Sequence, residues 1–147
     1  MGVDLSARML SISARRLATR GGQNPASLAK GDAQVLPLGD AAFDAVFMSF
    51  TLELFEHQAE ARVLAECARV IRRSGRLVVV SLWQAERPGP AARAYELGHR
   101  LVPGVLDCRP IDLDGEVRRA GFVLKRTVTR GLFGIPVRIV VATPPGN

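Results

Sequence analysis

The order of hydrophobic and polar positions predicts strands alternating with helices along this chain. Short apolar runs that suit buried strands lie at residues 2–4, 43–49, 76–82, 122–130 and 136–142. Hydrophobic side chains recur at helical spacing in residues 6–20, 58–72 and 113–120. This alternation predicts an α/β sheet covered by amphipathic helices.

Capping and turn residues sharpen several of these boundaries. Ser6 is suited to cap the first helix, and Gly21 with Gly22 follows its last turn. Gly75 is predicted to be a left-handed cap at the end of the second long helix. A weak strand signal at residues 27–30 leads into a polar loop, and a further helix is predicted at residues 91–101.

Length and cysteine content limit the type of protein. A chain of 147 residues with 48% hydrophobic residues fits a single domain with one core, which we assign to residues 1–147. No apolar run reaches about 18 residues, so no membrane span is expected. Cys67 and Cys108 lack metal-ligand spacing, and no metal site is predicted. Reduced thiols without a secretion signal predict a cytoplasmic protein, with Cys67 in the core.

The net charge of +6 raises the question of an anionic partner. The densest basic cluster lies on the first predicted helix and consists of Arg8, Arg15, Arg16 and Arg20. Aromatic residues make up only 5% of the chain, and none interleaves with these arginines. Because single-stranded nucleic acids stack on aromatic platforms, a solvated helix face is favoured and no nucleic-acid partner is expected.

Residues 31–55 contain the most specific pattern in the chain. Gly-Asp-Ala, Leu-Pro, Phe-Asp-Ala-Val and Ser-Phe follow one another there in fixed order. This order resembles the second half of the cofactor site in class I S-adenosylmethionine-dependent methyltransferases. It is most similar to the small-molecule branch that includes ubiquinone and menaquinone biosynthesis enzymes. Residues 69–80, in which a helix leads through a glycine turn into a strand, resemble the same family.

The resemblance implies a fold and a reaction. The fold is a Rossmann-like, mostly parallel sheet that is closed by a C-terminal antiparallel hairpin. The reaction is methyl transfer from S-adenosylmethionine to a small molecule, with the accepting oxygen, nitrogen or carbon atom left open. Such a transfer depends mainly on alignment, because the sulfonium leaving group is already activated. No fixed catalytic residue is therefore expected.

The resemblance also assigns cofactor contacts to residues that follow predicted strands. Asp4 would accept hydrogen bonds from the ribose hydroxyls, with Leu5 and Met9 alongside. Asp32 would accept from the adenine amino group, and Ala33 would offer its backbone amide. The alternative for Asp4 is a carboxylate that only caps the turn before the helix.

Further candidate residues are expected near the transferred methyl group and the substrate. Ser49 and Phe50 would line the pocket beside the transferred methyl group. The candidate proton acceptors are Glu53, His57 and His99. Tyr95 and His99 are four positions apart on one predicted helix and are candidates for substrate contact. The alternative for each histidine is a structural or simply exposed side chain.

One family feature is absent from this sequence. Family members begin with a strand and a glycine-rich loop, Asp-x-Gly-x-Gly-x-Gly, and that strand is central in the sheet. It would lie between the strand ending at Asp4 and the strand ending at Ser49. We therefore expect an N-terminally incomplete domain that is marginally stable, binds S-adenosylmethionine poorly and self-associates through open strand edges. The alternatives are a non-catalytic remnant or interaction module, and a basic nucleic-acid-binding domain or RNA methyltransferase.

Overall fold

The computed structural model describes residues 1–19, 26–84 and 109–146. Their elements are, in chain order, β1 (Gly2–Asp4), α1 (Ala7–Thr19), β2 (Leu28–Lys30), β3 (Phe43–Ser49), a 3-10 turn (Leu52–Leu54), α2 (His57–Val70), β4 (Ile71–Leu82), α3 (Leu113–Arg119), β5 (Val123–Leu132) and β6 (Ile135–Thr143). The predicted α/β class is confirmed. The helix predicted at residues 91–101 lies outside the described ranges, as does the Gly21-Gly22 turn.

The described strands form two separate sheets. β1 and β2 pair in parallel, and the larger sheet has the order β3-β4-β6-β5. β3 and β4 are parallel, whereas β6 runs antiparallel to both β4 and β5. Parallel strands followed by an antiparallel C-terminal hairpin are the arrangement predicted from the sequence.

A gap separates the two sheets. Within the described ranges β1 pairs only with β2. β3 pairs only with β4, so its other edge has no described partner strand. Apolar side chains near this gap are exposed, namely Met1, Leu5, Phe47 and Leu54. No described strand pairs with both β1 and β3.

The hydrophobic core lies between α2, α3 and the larger sheet. Its fully buried members include Leu64, Val70, Leu77, Val117 and Val140. Cys67 belongs to the same cluster, as predicted, and its burial raises the pKa of the thiol to about 12. None of the helices in the described part is long and apolar enough to span a bilayer.

The end of α2 differs from the prediction. The helix stops at Val70, because Ile71 is already extended and pairs with Phe43 at the start of β4. The predicted left-handed cap at Gly75 is wrong, since this residue lies inside β4 and has no positive φ. An added Cβ there would lie 2.8 Å from the carbonyl oxygen of Asp44. Glycine is needed at this position for a close approach between strands.

The predicted cap at Ser6 is confirmed, and α3 is capped at both ends. The Oγ of Ser6 accepts a hydrogen bond from the amide of Met9 at 3.3 Å, which caps α1. The carboxylate of Asp112 accepts from the amide of Gly115 at 3.1 Å and caps α3. Gly121, with a φ of 85°, ends α3 in the left-handed region.

Candidate cofactor site

A cleft of about 850 Å³ runs along the gap between the two sheets. Residues at or after the ends of β1, β2 and β3 line its polar side, namely Asp4, Leu5, Gly31, Asp32, Ala33, Gln34, Ser49 and Thr51. Apolar side chains of β3 and α2 line the rest, among them Val46, Met48, Val63 and Cys67. Ligands of open parallel sheets bind beyond the carboxyl ends of the strands, so this cleft is the candidate site.

The pairing register of β1 and β2 brings the two predicted cofactor-binding acids, Asp4 and Asp32, to the same end of the small sheet. Asp4 lies opposite Lys30, and the amide of Gly31 donates to the carbonyl oxygen of Asp4 at 3.2 Å. The loop that contains Asp32 therefore begins directly beside the end of β1. Two acids that are 28 positions apart in the sequence thus line one cleft.

The Asp4 carboxylate already has a local structural role. Its Oδ1 accepts a hydrogen bond from the amide of Ser6 at 2.7 Å. This contact caps the turn before α1, which is the alternative role predicted for Asp4. Its Oδ2 accepts no hydrogen bond from the residues that the structure describes. Since an ionised carboxylate offers about four lone-pair sites, acceptor capacity remains after the turn is capped.

The loop after β2 is a tight turn built on Asp32. The amide of Gln34 donates to Oδ1 of Asp32 at 2.8 Å, and the amide of Val35 donates to its carbonyl oxygen at 3.0 Å. The second carboxylate oxygen lies 3.5 Å from the Gln34 side-chain nitrogen, too far for a strong hydrogen bond. Arg62 of α2 fixes Gln34 through two contacts of 2.8 and 3.0 Å to Oε1. These contacts hold the loop in place, and the second carboxylate oxygen of Asp32 has only a weak hydrogen bond.

A clamp from α2 holds the connector between this loop and β3. Oε2 of Glu66 accepts from the amide of Leu36 at 2.7 Å, and Arg69 donates to the carbonyl oxygens of Leu36 and Leu38. Glu66 and Arg69 also pair with each other at 2.7 Å, and this hydrogen-bonded ion pair lowers the pKa of Glu66. The sequence analysis did not predict this clamp. Its one local signal is the i, i+3 spacing of Glu66 and Arg69, which places the two side chains next to each other on α2.

Only some of the other predicted cofactor-binding residues line the cleft. Ser49 and Leu5 line the cleft, whereas Met9 and Phe50 are not among the lining residues. Phe50 has a φ of 48°, and its amide donates to the carbonyl oxygen of Val80 at 2.8 Å. A positive φ is uncommon for a bulky side chain and marks a constrained turn directly after β3.

The predicted proton acceptors do not line the cleft in the described part of the chain. Glu53 is 1% exposed, and its Oε1 accepts from the amide of Leu82 at 3.2 Å. Burial raises the pKa of Glu53 above the usual carboxyl value. Tyr95 and His99 lie outside the described residues.

His57 lies in a charged cluster that sequence reasoning did not identify. Its Nδ1 is 3.3 Å from Oε2 of Glu60 and 3.1 Å from Oε1 of Glu116, a residue of α3. Arg109 pairs with the other oxygen of Glu60 and donates to the carbonyl oxygen of Phe55 at 3.0 Å. These residues come from distant parts of the chain, and only the packing of α3 against α2 brings them together.

Comparison with known proteins identifies the family. A family model described as a methyltransferase domain matches residues 1–79, more than half of the chain. The demethylmenaquinone methyltransferase of Thermotoga maritima is 40% identical over 81 residues, which are 55% of this chain and 32% of that protein. Its counterpart from Thermus thermophilus is 36% identical over 101 residues, 69% of this chain and 42% of that protein. The matched stretch is thus less than half the length of either relative.

The fold comparison agrees with the sequence comparison. A crystal structure of an S-adenosylmethionine-dependent methyltransferase from Methanosarcina mazei superimposes with a TM-score of 0.81, covering 99% of this chain and 82% of that one. The identity of 16% makes this a likeness of fold alone. The match over residues 1–79 shows that this chain belongs to the methyltransferase domain family, and its fold agrees with that membership.

Proposed function

We propose that this chain provides the adenosine-binding half of an S-adenosylmethionine site that serves methyl transfer to a small molecule. The observation that carries the proposal is the pairing of β1 with β2, which places the Asp4 and Asp32 segments side by side at one end of the cleft. Adenosine presents hydrogen-bond donors at its ribose hydroxyls and its amino group. Carboxylates are acceptor-only groups, so the chemistry of the two acids fits this ligand.

Each lining residue has a distinct role in this proposal. Asp4 accepts from the ribose hydroxyls while it continues to cap the turn at Ser6, with Leu5 packing beside the ribose. Asp32 accepts from the adenine amino group through its weakly engaged oxygen, and Ala33 donates its amide to the ring. These roles are supported by the hydrogen bonds that hold the loop in place without using all the acceptor capacity of the two acids.

Residues after β3 and in the first helix complete the proposed site. Ser49 lies at the end of the cleft wall formed by β3, and the constrained turn at Phe50 follows it. Both residues are proposed to line the pocket beside the transferred methyl group. Met9 would contact the ligand from α1. When bound, S-adenosylmethionine supplies an activated methyl group, and the residues named here bind and orient it.

The acceptor is proposed to be a small molecule, and a quinone precursor is the first candidate. The support is the similarity to two proteins named demethylmenaquinone methyltransferases. Glu53 remains a candidate proton acceptor, and burial raises its pKa above the usual carboxyl value. His57 and His99 remain candidates as well, and Tyr95 with His99 is still proposed for substrate contact.

We further propose that residues 1–147 by themselves supply only part of the cofactor site and bind the cofactor weakly. The sequence contains no glycine-rich loop of the family type to approach the methionine part of the ligand. The exposed apolar side chains along the gap support this proposal, because a central strand would cover them. A non-catalytic remnant or interaction module is the second candidate, and the same open strand edges favour it.

The test is ligand binding to matched variants. Asp4→Asn and Asp32→Asn keep a carbonyl oxygen for the turn contacts but replace one acceptor by a donor. Each change should weaken S-adenosylmethionine binding by roughly tenfold or more, since a hydrogen bond to a charged group contributes about 1.5–3 kcal/mol. Asp44→Asn is the control, because Asp44 is exposed, pairs with Arg72 and does not line the cleft.

Saturation-transfer NMR suits this test, since it detects binding at millimolar dissociation constants. Adenosine is titrated in parallel, because the proposal predicts that it retains most of the contacts. Equal affinities for the wild type, Asp4→Asn and Asp32→Asn would exclude the assigned roles. An absence of binding by both ligands in the folded protein would favour the non-catalytic interpretation.

A further inference from the structure

A second cluster of potential ligand atoms lies where α2 meets α3, among residues that do not line the cleft. Nδ1 of His57, Oε2 of Glu60 and Oε1 of Glu116 all lie within 4.8 Å of one another. The imidazole is largely exposed, whereas both carboxylates are buried. The three atoms therefore converge on one point that solvent can reach from the side of the histidine.

Two of the separations between these atoms are close to those of ligands on one small cation. Zinc binds nitrogen and oxygen ligands at about 2.0–2.2 Å, so tetrahedral ligands lie about 3.3–3.6 Å from each other. The imidazole nitrogen is 3.3 Å from the Glu60 oxygen and 3.1 Å from the Glu116 oxygen. All three atoms lie within 4.8 Å of one another, so side-chain rotation is enough to bring them around one ion.

The Glu60 carboxylate provides an independent indication of a ligand. Its side chain is fully buried, and its Oε2 accepts no hydrogen bond within the described part of the chain. A buried carboxylate oxygen without a hydrogen bond is costly, because it has lost its water, and the 3.3 Å contact with Nδ1 of His57 replaces that water only in part. A cation bound beside Nδ1 of His57 would satisfy this oxygen.

The charged side chains around the cluster also favour binding of a cation. Four carboxyl groups and two guanidinium groups lie in and around the cluster, namely those of Glu53, Glu60, Asp112, Glu116, Arg109 and Arg119. The carboxyl groups thus outnumber the guanidinium groups. The arginines pair with the carboxylates of Glu60 and Glu116. Such outer partners orient ligating carboxylates in metal sites.

We propose that His57, Glu60 and Glu116 bind a single divalent transition-metal ion, Zn²⁺ in preference to Mn²⁺, with water completing its coordination. The imidazole favours these ions over Mg²⁺, which prefers oxygen ligands alone. The ion would link the first turn of α2 to α3 and stabilise the packing of the two helices. This site is separate from the proposed cofactor site and does not depend on methyl transfer.

The experiment measures metal binding to the full chain after chelator treatment and dialysis. Calorimetric titration with Zn²⁺ should show one saturable site, and the melting temperature should rise with Zn²⁺ concentration, since the ion binds the native state. Mn²⁺ should bind more weakly and Mg²⁺ most weakly of the three. His57→Ala and Glu116→Gln should each weaken Zn²⁺ binding by at least tenfold.

Glu66→Gln is the matched control, because it changes a carboxylate on the same helix outside the cluster. Circular dichroism checks that each variant is folded before titration, and Glu116→Gln keeps the shape of its side chain. Zn²⁺ affinity that is unchanged in both cluster variants would overturn the proposal. Folded wild-type protein without saturable Zn²⁺ binding would also overturn the proposal. The contacts of His57 with the two carboxylates would then explain the cluster.

Discussion

The open edge of β3 gives a prediction about self-association. Phe47 lies in the middle of this strand, lines the cleft and is 69% exposed. The described strands pair with β3 on one edge only, through β4. An unpaired edge with an exposed aromatic side chain is a template for pairing with a second chain. We expect the protein to form dimers through this edge, and Phe47→Thr to weaken them.

The magnitude follows from the exposed area of Phe47. A phenylalanine side chain buries about 200 Å² when fully covered, so an exposed fraction of 69% leaves roughly 140 Å² available. At about 25 cal/mol per Å², covering half of this area in each of two copies contributes about 3.5 kcal/mol. Threonine retains part of that contribution. A loss of about 2.7 kcal/mol corresponds to a dimer dissociation constant raised roughly 100-fold.

Sedimentation equilibrium over a range of protein concentrations measures this constant directly. Phe133→Asn is the control, because Phe133 is 93% exposed at the tip of the β5–β6 hairpin, away from the open edge. Its φ of 50° suits asparagine, so the hairpin should persist. The reasoning would be refuted by a wild type that stays monomeric, or by equal dissociation constants for the wild type and Phe47→Thr.

Three further predictions concern stability. Leu64→Ala should lower the free energy of unfolding by about 2–5 kcal/mol, because Leu64 is fully buried in the core, and thermal unfolding would show it as a melting temperature lower by roughly 4–20 °C. The lowered pKa of Glu66 stabilises the fold above the usual carboxyl pKa, and this contribution is lost as pH falls through the folded-state value. Urea unfolding at several pH values should therefore show a weaker acid dependence for Glu66→Gln, and an identical dependence would contradict the Arg69 clamp. Gly75→Ala should destabilise the pairing of β3 with β4, since its Cβ would meet the Asp44 oxygen at 2.8 Å, and unchanged urea midpoints would show that this close approach relaxes freely.

The sequence by itself determined the elements and the family. Apolar runs at residues 43–49 and 76–82 have the length and composition of buried strands, and the stripe that contains Leu64 and Cys67 has helical spacing. These signals are local, because each depends on side chains within about ten residues. The pattern that begins at Gly31 was specific enough to indicate the methyltransferase family, which the family match over residues 1–79 confirms.

Tertiary structure decided what local patterns leave open. Ile71 fits a helix or a strand by composition, and its pairing with Phe43 makes it a strand residue. The approach of Glu116 to His57 joins residues 59 positions apart, and no periodicity in the sequence encodes it. Pairing between strands and packing between helices depend on which surfaces the whole chain buries together. For that reason the cleft beside Asp4 and the charged cluster at α2 became visible only in the folded chain.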